Sequence, residues 1–425
     1  MKVLMLNTYD EHGGAAKAAF RLNRGMHAIG IDSHLLVQAK TGNAAEVSGA
    51  TNPVRKIFYG IRTFLGTVPV RMYPKKPVNN FTPAMMPDCL AREITRFAPD
   101  VAHLHWIGAG FMRVETLQKI RIPLVWTLHD SWAFTGGCHM PYDCTRYREN
   151  CGSCPILGSQ RREDLSWRVL QRKNKAWCGL NLTVVTPSRW LANCARKSSL
   201  FRDRRIEVIP NGIDLSIFKP TPKQRARDLL ELPRNKKLIL FGGINSTSDP
   251  NKGFQFLLPA LKNLSSRSRK QNIELLVFGS SVPGKPLEFN MRIGYLGRLQ
   301  DESSLALLYS AADLLVVPSR QENLPNTILE SMACGTPCVA FNQGGIPEII
   351  DHGLNGYLAN PFDQEDLAHG IGSLLGDDRL RQSMAINARQ KVKADFSLQT
   401  AVRRYGDLYG ELLSGGILPL SVMAG

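Results

Sequence analysis

The chain has 425 residues, 43% of them hydrophobic and 21% charged, and a formal net charge of +17 at pH 7. This length predicts two or three ordinary globular domains, since one average core is smaller. No apolar run reaches the roughly 18 residues of a membrane span, and the N-terminus lacks signal-peptide features, so we expect a cytoplasmic protein. Nine cysteines, an odd number, argue against a disulfide framework.

The chain begins with an apolar segment and a glycine-rich turn. Residues 2–7 are predicted to form a buried strand, and a helical pattern covers residues 15–28. Gly13 and Gly14 precede this helix, where glycine lets the backbone approach a ligand. A purely structural turn is the alternative. The spacing is not GxGxxG, so it does not favour a nicotinamide cofactor.

Residues 53–77 combine basic and aromatic side chains, which suits attachment to an anionic membrane surface. The alternative is a helix whose apolar side packs on its own domain, as in most amphipathic helices. Both interpretations stay open. The basic residues are Arg55, Lys56, Arg62, Arg71, Lys75 and Lys76, and the apolar ones include Ile57, Phe58, Ile61, Phe64, Leu65 and Met72.

Two further strands are predicted at residues 100–105 and 124–129, and each ends in a histidine. His105 and His129 would stand at carboxyl ends of strands, where open α/β sheets bind ligands. A structural role is the commoner finding for a histidine taken alone.

Four cysteines follow within a segment of seventeen residues. Thiolates this close together suit tetrahedral zinc, although the first pair is spaced more loosely than in a zinc finger. A disulfide pair or free thiols are the alternative. The candidate ligands of this structural zinc are Cys138, Cys144, Cys151 and Cys154.

The second half of the chain repeats the alternation of apolar strands and helices, which predicts a parallel α/β sheet. Strands are predicted at residues 237–241, 273–279, 292–296 and 313–317. Lys252 precedes a predicted helix start, where its ammonium group can neutralise a diphosphate.

Residues 318–350 carry the most informative pattern. The strand at 313–317 leads through a loop to a helix over 326–333 and a strand over 336–341. Glu322 lies in the loop and Glu330 near the end of the helix. Ligands of open α/β sheets bind where such a loop lies, and the helix start offers N–H groups to a phosphate. On spacing alone, two ordinary solvated acids are the alternative.

The run ENLPNTILE from Glu322 to Glu330, followed by SMACGTP and GGIPE, resembles the donor-binding signature of the retaining GT-B glycosyltransferases of family four. The resemblance implies two Rossmann-like domains facing each other across a cleft, with a C-terminal helix that crosses back. It implies an acceptor-side domain over residues 1–214, a donor domain over 215–390 and a returning segment over 391–425. The cysteine-rich insertion at about 136–158 is similar to that of an exopolysaccharide, colanic-acid-type subset.

The resemblance also implies roles for single residues. Glu322 and His129 would hold the donor sugar, Glu330 the ribose and Lys252 the diphosphate. The family usually has an arginine where this chain has Gly243 and Ile244, so another basic residue is needed in the phosphate clamp. Asn326 and Thr327 would cap the helix or reach the phosphate. The other donor-binding candidates are Gly13, Gly14, Asn323, Leu324, Pro325, Gly297 and Arg298, the last as the compensating cation.

The implied function is that of a retaining hexosyltransferase in bacterial polysaccharide biosynthesis. It would move a sugar from a nucleotide-sugar donor to a lipid-linked or oligosaccharide acceptor, at the inner face of the membrane, with no cofactor required for catalysis. Two alternatives stay open. One is a nucleotide-sugar epimerase of the same shape, and the other is a basic, zinc-containing nucleic-acid-binding protein, which would bind with a strong salt dependence.

Overall fold

The computed structural model describes residues 1–77, 79–267, 272–280, 291–299 and 301–415. The chain divides into two compact units. The first contains residues 1–212 together with the C-terminal segment from residue 399, and the second contains residues 213–398.

The first unit is a seven-stranded parallel sheet with helices packed against it. Its strand order is β3-β2-β1-β4-β5-β6-β7. The central strands β4, β5 and β6 are mostly apolar and buried at every position, because helices cover the faces of a parallel sheet. The elements are β1 (Lys2–Tyr9), α1 (Gly14–Ala28), β2 (Asp32–Ala39), β3 (Val47–Ala50), α2 (Pro53–Arg71), α3 (Leu90–Phe97), β4 (Val101–Leu104), β5 (Leu124–Thr127), α4 (Leu165–Trp177), β6 (Leu182–Thr186), α5 (Arg189–Arg196) and β7 (Ile206–Val208).

The second unit is a six-stranded parallel sheet in the order β10-β9-β8-β11-β12-β13. The last helix of the chain, α12, follows it. The elements of the second unit are α6 (Lys223–Leu229), β8 (Lys237–Gly242), α7 (Phe254–Arg267), β9 (Ile273–Phe278), β10 (Arg292–Gly297), α8 (Glu302–Ala311), β11 (Leu314–Val317), α9 (Asn326–Ala333), β12 (Cys338–Phe341), β13 (Gly356–Ala359), α10 (Gln364–Gly376) and α11 (Asp378–Asp395). Helix α12 (Leu398–Leu413) belongs to the first unit from residue 399 on.

Both sheets reverse their strand order once, between β1 and β4 in the first unit and between β8 and β11 in the second. This is the order of a doubly wound Rossmann fold, whose ligands bind at the carboxyl ends of the strands beside the reversal. The predicted fold class of two Rossmann-like domains is confirmed. The edge strand β3 and its neighbour β2 were not predicted from the sequence.

Helix α12 is held on the first unit by buried hydrogen bonds. The Tyr409 hydroxyl lies 2.6 Å from Nδ1 of His103 on β4, and the Tyr405 hydroxyl lies 2.7 Å from Oγ1 of Thr127 on β5. At the surface, the Arg205 guanidinium donates to both oxygens of the Glu411 carboxylate at 2.8 Å. The last helix therefore completes the first unit.

The change from the second unit to the first comes between residues 398 and 399, later than the sequence-based bound of 390. The reason is that α11 continues to Asp395 on the second unit. Ala388, Val392 and Phe396 are all buried in the core of that unit.

Candidate active site

Lys252 and Glu322 meet at the strand reversal of the second sheet. Lys252 ends a short 3-10 turn after β8, and Glu322 lies in the loop after β11. The Nζ atom of Lys252 lies 2.7 Å from Oε1 of Glu322. The Lys252 side chain is 30% exposed and that of Glu322 is 15% exposed, so a ligand can reach the pair. The structure thus brings together the predicted phosphate-binding and sugar-binding residues.

The electrostatic balance of this pair favours its charged form. Burial alone would lower the pKa of Lys252, but the neighbouring carboxylate of Glu322 and that of Asp249 raise it, and the net pKa is raised. The ammonium group therefore stays charged at neutral pH, as a phosphate-binding group must.

Asn251, the residue before Lys252, ties the β8 loop to the β11 loop. Its backbone oxygen accepts a hydrogen bond from the Arg320 N–H at 2.8 Å. Its side-chain amide donates to the backbone oxygen of Gln321 at 2.9 Å, and the residue is only 3% exposed. These two bonds fix the register of Lys252 against the residue before Glu322.

Gly253, the residue after Lys252, is a further contact between the β8 loop and the β11 loop. Its φ angle is +78°, and a Cβ atom there would lie 1.7 Å from the carbonyl oxygen of Pro318 at the end of β11. Only glycine allows this approach of the two backbones.

The glycine pair that follows β12 holds Glu322 from another direction. The Gly345 N–H donates to the Glu322 carbonyl oxygen at 3.0 Å. A Cβ atom on Gly344, whose φ is +64°, would lie 2.1 Å from that same oxygen. The position of the Glu322 backbone therefore depends on two other loops, after β8 and after β12, that are distant from it in sequence.

Helix α9 carries the second predicted carboxylate. Glu330 is 2% exposed, and its Oε2 accepts a hydrogen bond from the hydroxyl of the fully buried Tyr309 at 3.0 Å. The residue that caps α9 is Pro325, which provides no side-chain hydrogen bond. Asn326 and Thr327 therefore do not cap the helix. They lie half-buried in its first turn, next to the loop of Glu322.

The other donor-binding candidates of the second unit differ in their surroundings. Leu324 and Pro325 are buried, and Leu324 belongs to the hydrophobic core. Asn323 is half-buried. Gly297 ends β10 with φ +63°, and Arg298 after it is exposed. Since β9 separates β10 from β8, Arg298 begins about 10 Å from the strand before Lys252, and its compensating role stays a prediction.

In the first unit, the ends of β4 and β5 carry a chain of histidines. Nδ1 of His105 lies 3.0 Å from Nε2 of His129, and the two rings stack at 5.3 Å. Nε2 of His103 lies 2.7 Å from the hydroxyl of Thr127. The rings of His103 and His105 lie 4.2 Å apart, so the three histidines form a series from the half-buried His129 to the Tyr409 hydroxyl of helix α12.

Burial keeps these histidines uncharged. It lowers the pKa of His103 to about 3 and that of His129 to about 4, and it lowers the pKa of His105 well below the usual value. A neutral imidazole can exchange hydrogen bonds with a sugar hydroxyl but adds no positive charge for a phosphate. The sugar-binding role of His129 stays a prediction.

Asp130, directly after His129, organises the surrounding loop. Its carboxylate accepts hydrogen bonds from the indole of Trp106 at 2.8 Å and from the Trp132 N–H at 2.8 Å, and it lies 2.7 Å from Nδ1 of His139. Burial would raise the pKa of Asp130, but His139 and these donors lower it overall. The charged carboxylate thus holds the loop that presents His129.

The glycine-rich turn after β1 is anchored by Asp10, a residue that the sequence analysis did not single out. Its carboxylate accepts two hydrogen bonds at 2.6 Å from Thr41 and one at 2.8 Å from the Gly42 N–H. Gly13 has φ +100°, and α1 begins at Gly14. The predicted turn is present, but no spacing rule indicates that a carboxylate three residues earlier secures it.

The four clustered cysteines, 138, 144, 151 and 154, line one small cavity. All nine cysteines of the chain are free thiols. Within the described ranges, no group of three or more His, Cys, Asp or Glu side chains is arranged so that it could hold a metal ion. The thiols therefore share a cavity without forming a ready ligand set.

A buried lysine lies beside this cavity. Lys173 donates to the backbone oxygens of Trp132 and Thr135, and its Nζ lies 3.7 Å from the centre of the Trp132 ring. Burial lowers the pKa of Lys173 to about 7, while the nearby thiols of Cys138 and Cys151 oppose this shift. The lysine could compensate negative charge on these two sulfur atoms.

Sequence reasoning missed Asn251, Tyr309, Asp10 and Lys173. The first lies in the run DPNKG, whose turn composition was a usable signal. The others act through partners that are distant in sequence or on other elements, so no local pattern could identify them.

Two family models match the chain. The model described as "Glycosyl transferases group 1" matches residues 235–377, and the one described as "Glycosyltransferase Family 4" matches residues 12–217. These ranges contain the Lys252–Glu322 site and the histidine chain, respectively.

Several curated proteins are similar in sequence. D-inositol 3-phosphate glycosyltransferase of Thermobispora bispora is 34% identical over 331 residues, which cover 74% of this chain and 71% of that protein. The putative colanic acid biosynthesis glycosyl transferase WcaC of Escherichia coli is 25% identical over 82% of this chain and 85% of that protein. Other matches span about half of the relative, as with 53% of the Corynebacterium jeikeium D-inositol 3-phosphate glycosyltransferase, at 34% identity over 50% of this chain.

Solved structures share the fold at low sequence identity. Sucrose-phosphate synthase of Thermosynechococcus elongatus gives a TM-score of 0.71 at 20% identity, covering 98% of this chain and 100% of that one. Anabaena HepE, solved in complex with UDP and glucose, gives 0.65 at 20% identity with the same coverage. Together with the two sheets, these similarities establish a GT-B fold.

We expect Gly253→Ala to lower the free energy of unfolding by about 2 kcal/mol or more, because a side chain at this left-handed position collides with the Pro318 carbonyl. Calorimetric melting of the full chain measures the loss. Gly376→Ala is the matched control, since nothing lies within 4 Å of the added Cβ there. Equal melting temperatures for the two variants would show that the close approach at Gly253 does not hold the site.

We also expect the first unit to lose stability as the pH falls from about 6.5 toward 4. The unfolded histidines bind protons in this range, whereas the folded ones, with lowered pKa values, do not. Each such histidine contributes a slope of up to about 1.4 kcal/mol per pH unit. Urea unfolding followed by tryptophan fluorescence isolates this effect, because all six tryptophans lie in the first unit.

The variant His103→Asn should show a shallower acid slope than the wild type, even if it is less stable at pH 7. His27→Gln, at an exposed position on α1, is the control and should keep the wild-type slope. An unchanged slope in His103→Asn would contradict the assignment of the acid sensitivity to the buried histidines.

Proposed function

Because the chain belongs to the group 1 and family 4 glycosyltransferases, we propose that it is a hexosyltransferase that uses a nucleotide-sugar donor. The observation that carries this proposal is the ion pair of Lys252 and Glu322 at the strand reversal of a Rossmann sheet. Uridine nucleotides are the first donors to test, since HepE, a protein of the same fold, was solved with UDP-glucose.

The two charges of this pair match the two halves of such a donor. The diphosphate would take the Lys252 ammonium together with N–H groups at the start of α9. The Glu322 carboxylate, released from Lys252, would accept hydrogen bonds from two sugar hydroxyls. Glu330 would hold the ribose. In this proposal the donor replaces the internal ion pair with two ligand contacts.

We further propose that the transfer retains the configuration of the anomeric carbon. As the bond from the sugar to the diphosphate breaks, negative charge grows on the phosphate oxygen, and Lys252 with the loop amides would stabilise it. The neutral His129 would contact the sugar through hydrogen bonds. No side chain is assigned as a covalent nucleophile.

The proposed acceptor is a lipid-linked or oligosaccharide hydroxyl in bacterial polysaccharide assembly, bound mainly by the first unit. The relative WcaC, named for colanic acid biosynthesis, supports this choice because its alignment covers most of both chains. Such an acceptor would be met at the cytoplasmic face of a membrane, so we propose peripheral attachment there.

The alternatives are less well supported. An epimerase of the same shape would convert the donor without an acceptor, and a nucleic-acid-binding protein would bind with a strong salt dependence. Family membership favours neither of them.

Separately, we propose that Cys138, Cys144, Cys151 and Cys154 bind a structural zinc that takes no part in catalysis. Four free thiols lining one cavity supply a chemically suitable donor set. Burial raises the pKa of the Cys151 thiol to about 12, and a bound zinc would overcome this by binding the thiolate. The side chains would have to draw together around the ion.

The donor proposal is tested by thermal stability in the presence of UDP and of a panel of UDP-sugars. A ligand at about 100 times its dissociation constant should stabilise the wild type by roughly 2.7 kcal/mol. We expect Lys252→Met to lose most of the shift with UDP itself. Glu322→Gln should keep the UDP shift but lose the additional shift that the sugar provides.

Glu365→Gln, an exposed acid in the first turn of α10, is the matched control and should behave as the wild type. If no nucleotide sugar, whatever its base, raises the melting temperature of the wild type, the donor proposal fails. If Glu322→Gln responds to UDP-sugars as the wild type does, Glu322 does not hold the sugar.

The zinc proposal predicts one equivalent of zinc in protein expressed with zinc and purified without chelators, as measured by metal analysis. Cys144→Ser should lose the metal and melt at a lower temperature, because zinc binds the folded state. Cys89→Ser, at an exposed cysteine outside the cavity, should keep the zinc and the wild-type melting temperature. Wild-type protein without stoichiometric zinc would leave the four thiols as metal-free cysteines and end the proposal.

A further inference from the structure

Helix α2 exposes its apolar side chains to solvent. Ile57 is 65% exposed, Phe58 56% and Phe64 55%. These positions belong to a stripe with helical spacing that continues over the whole length of the helix and the residue after it. The exposed apolar residues of this stripe are Val54, Ile57, Phe58, Ile61, Phe64, Leu65, Val68 and Met72.

The opposite side of α2, which faces its own unit, makes its contacts mainly through polar groups. The Thr63 hydroxyl donates to the backbone oxygen of Ala109 at 2.7 Å, and the Arg62 guanidinium donates to that of Gly110 at 2.9 Å. Among the α2 side chains that the structure describes, only Val70, near the C-terminus of the helix, is fully buried. The helix is thus amphipathic in the reverse sense of a surface helix, which excludes the interpretation that its apolar side packs on its own domain.

The segment of sequence that carries the stripe is basic. From residue 47 to residue 87 the sequence contains no Asp or Glu but six Lys or Arg residues. The Arg71 guanidinium lies 5.1 Å from the centre of the Phe64 ring, and Lys75 and Lys76 are exposed just after the helix. An exposed apolar face with cations at its border matches a surface that is both negatively charged and apolar below its headgroups.

We propose that α2 docks this protein on an anionic lipid bilayer, lying in the plane of the interface with its apolar stripe among the acyl chains. The helix has 19 residues and is about 28 Å long. No helix in the described part of the chain is long and apolar enough to cross a membrane, so docking is parallel to the surface. A second copy is a poor occupant of this face, because it would bring the same cations into contact.

This inference rests on the proposed membrane-side acceptor for its purpose, but lipid binding is measured without any sugar transfer. Donor binding is measured without lipid. The docking proposal and the donor proposal can therefore fail separately.

The test is co-sedimentation of the full chain with vesicles of phosphatidylcholine alone, or of phosphatidylcholine with about one third phosphatidylglycerol, at low and high salt. We expect binding to the anionic vesicles that weakens at high salt. The double variant Phe58→Ser with Phe64→Ser should lower the partition coefficient about tenfold or more, because it removes two apolar anchors. The variant Lys75→Glu with Lys76→Glu should weaken binding to anionic vesicles selectively.

The matched control is Leu229→Ser with Ile386→Ser, which removes two equally exposed apolar residues from α6 and α11 and should bind as the wild type. Retained melting temperature shows that each variant is folded. Absence of wild-type binding to anionic vesicles overturns the proposal, as does equal binding by the double phenylalanine variant. A dimer that this variant dissociates would show that the stripe instead joins two copies.

Discussion

The loops at the strand reversal of the second unit are arranged around the ion pair of Lys252 and Glu322. Each charge alone would be costly in a partly buried position, and each is offset by the other. The pair is not held mainly by its own attraction. Asn251, Gly253 and the glycines after β12 place the two backbones before the side chains meet. The entropy cost of ordering these two side chains is therefore offset by folding, and donor binding would not have to order them again.

This preorganisation explains why the loops after β8 and β12 carry glycines with positive φ. At Gly253 and Gly344, a side chain would collide with a carbonyl oxygen of the β11 loop. The site therefore depends on close backbone approach, and its geometry is set by residues that do not contact a ligand. In the first unit, burial sets the charge state of the site instead: it lowers the pKa values of His103 and His129 and so keeps these side chains neutral.

The fold followed from the sequence because its signals are local. Buried apolar strands such as residues 313–317 and the start of α9 after Pro325 are set by short-range pattern and turn chemistry. The elements that carry Glu322 and Glu330 could also be predicted from the sequence, since both residues lie on one consecutive strand-loop-helix unit. The partners of these residues could not be predicted in the same way. Tyr309 meets Glu330 only because α8 packs against α9, and no periodicity in either helix encodes that contact.

The orientation of α2 shows the same limit. Its sequence gives one apolar and one polar side, and spacing alone cannot decide which of the two faces the protein. Three-dimensional contacts decide it: Thr63 and Arg62 bind carbonyl groups of the segment before Phe111, and the apolar side is left outside.

The return of α12 to the first unit has a consequence for synthesis on the ribosome. Tyr405 and Tyr409 supply the hydrogen-bond partners of Thr127 and His103, yet they emerge about 280 and 300 residues later. Until the second unit has been translated, His103 and Thr127 of the N-terminal sheet have each other as partners but lack the tyrosine hydroxyls of α12. The unit that is made first is therefore finished last, and a chain cut at the linker near residue 213 would leave a half that cannot complete its own core.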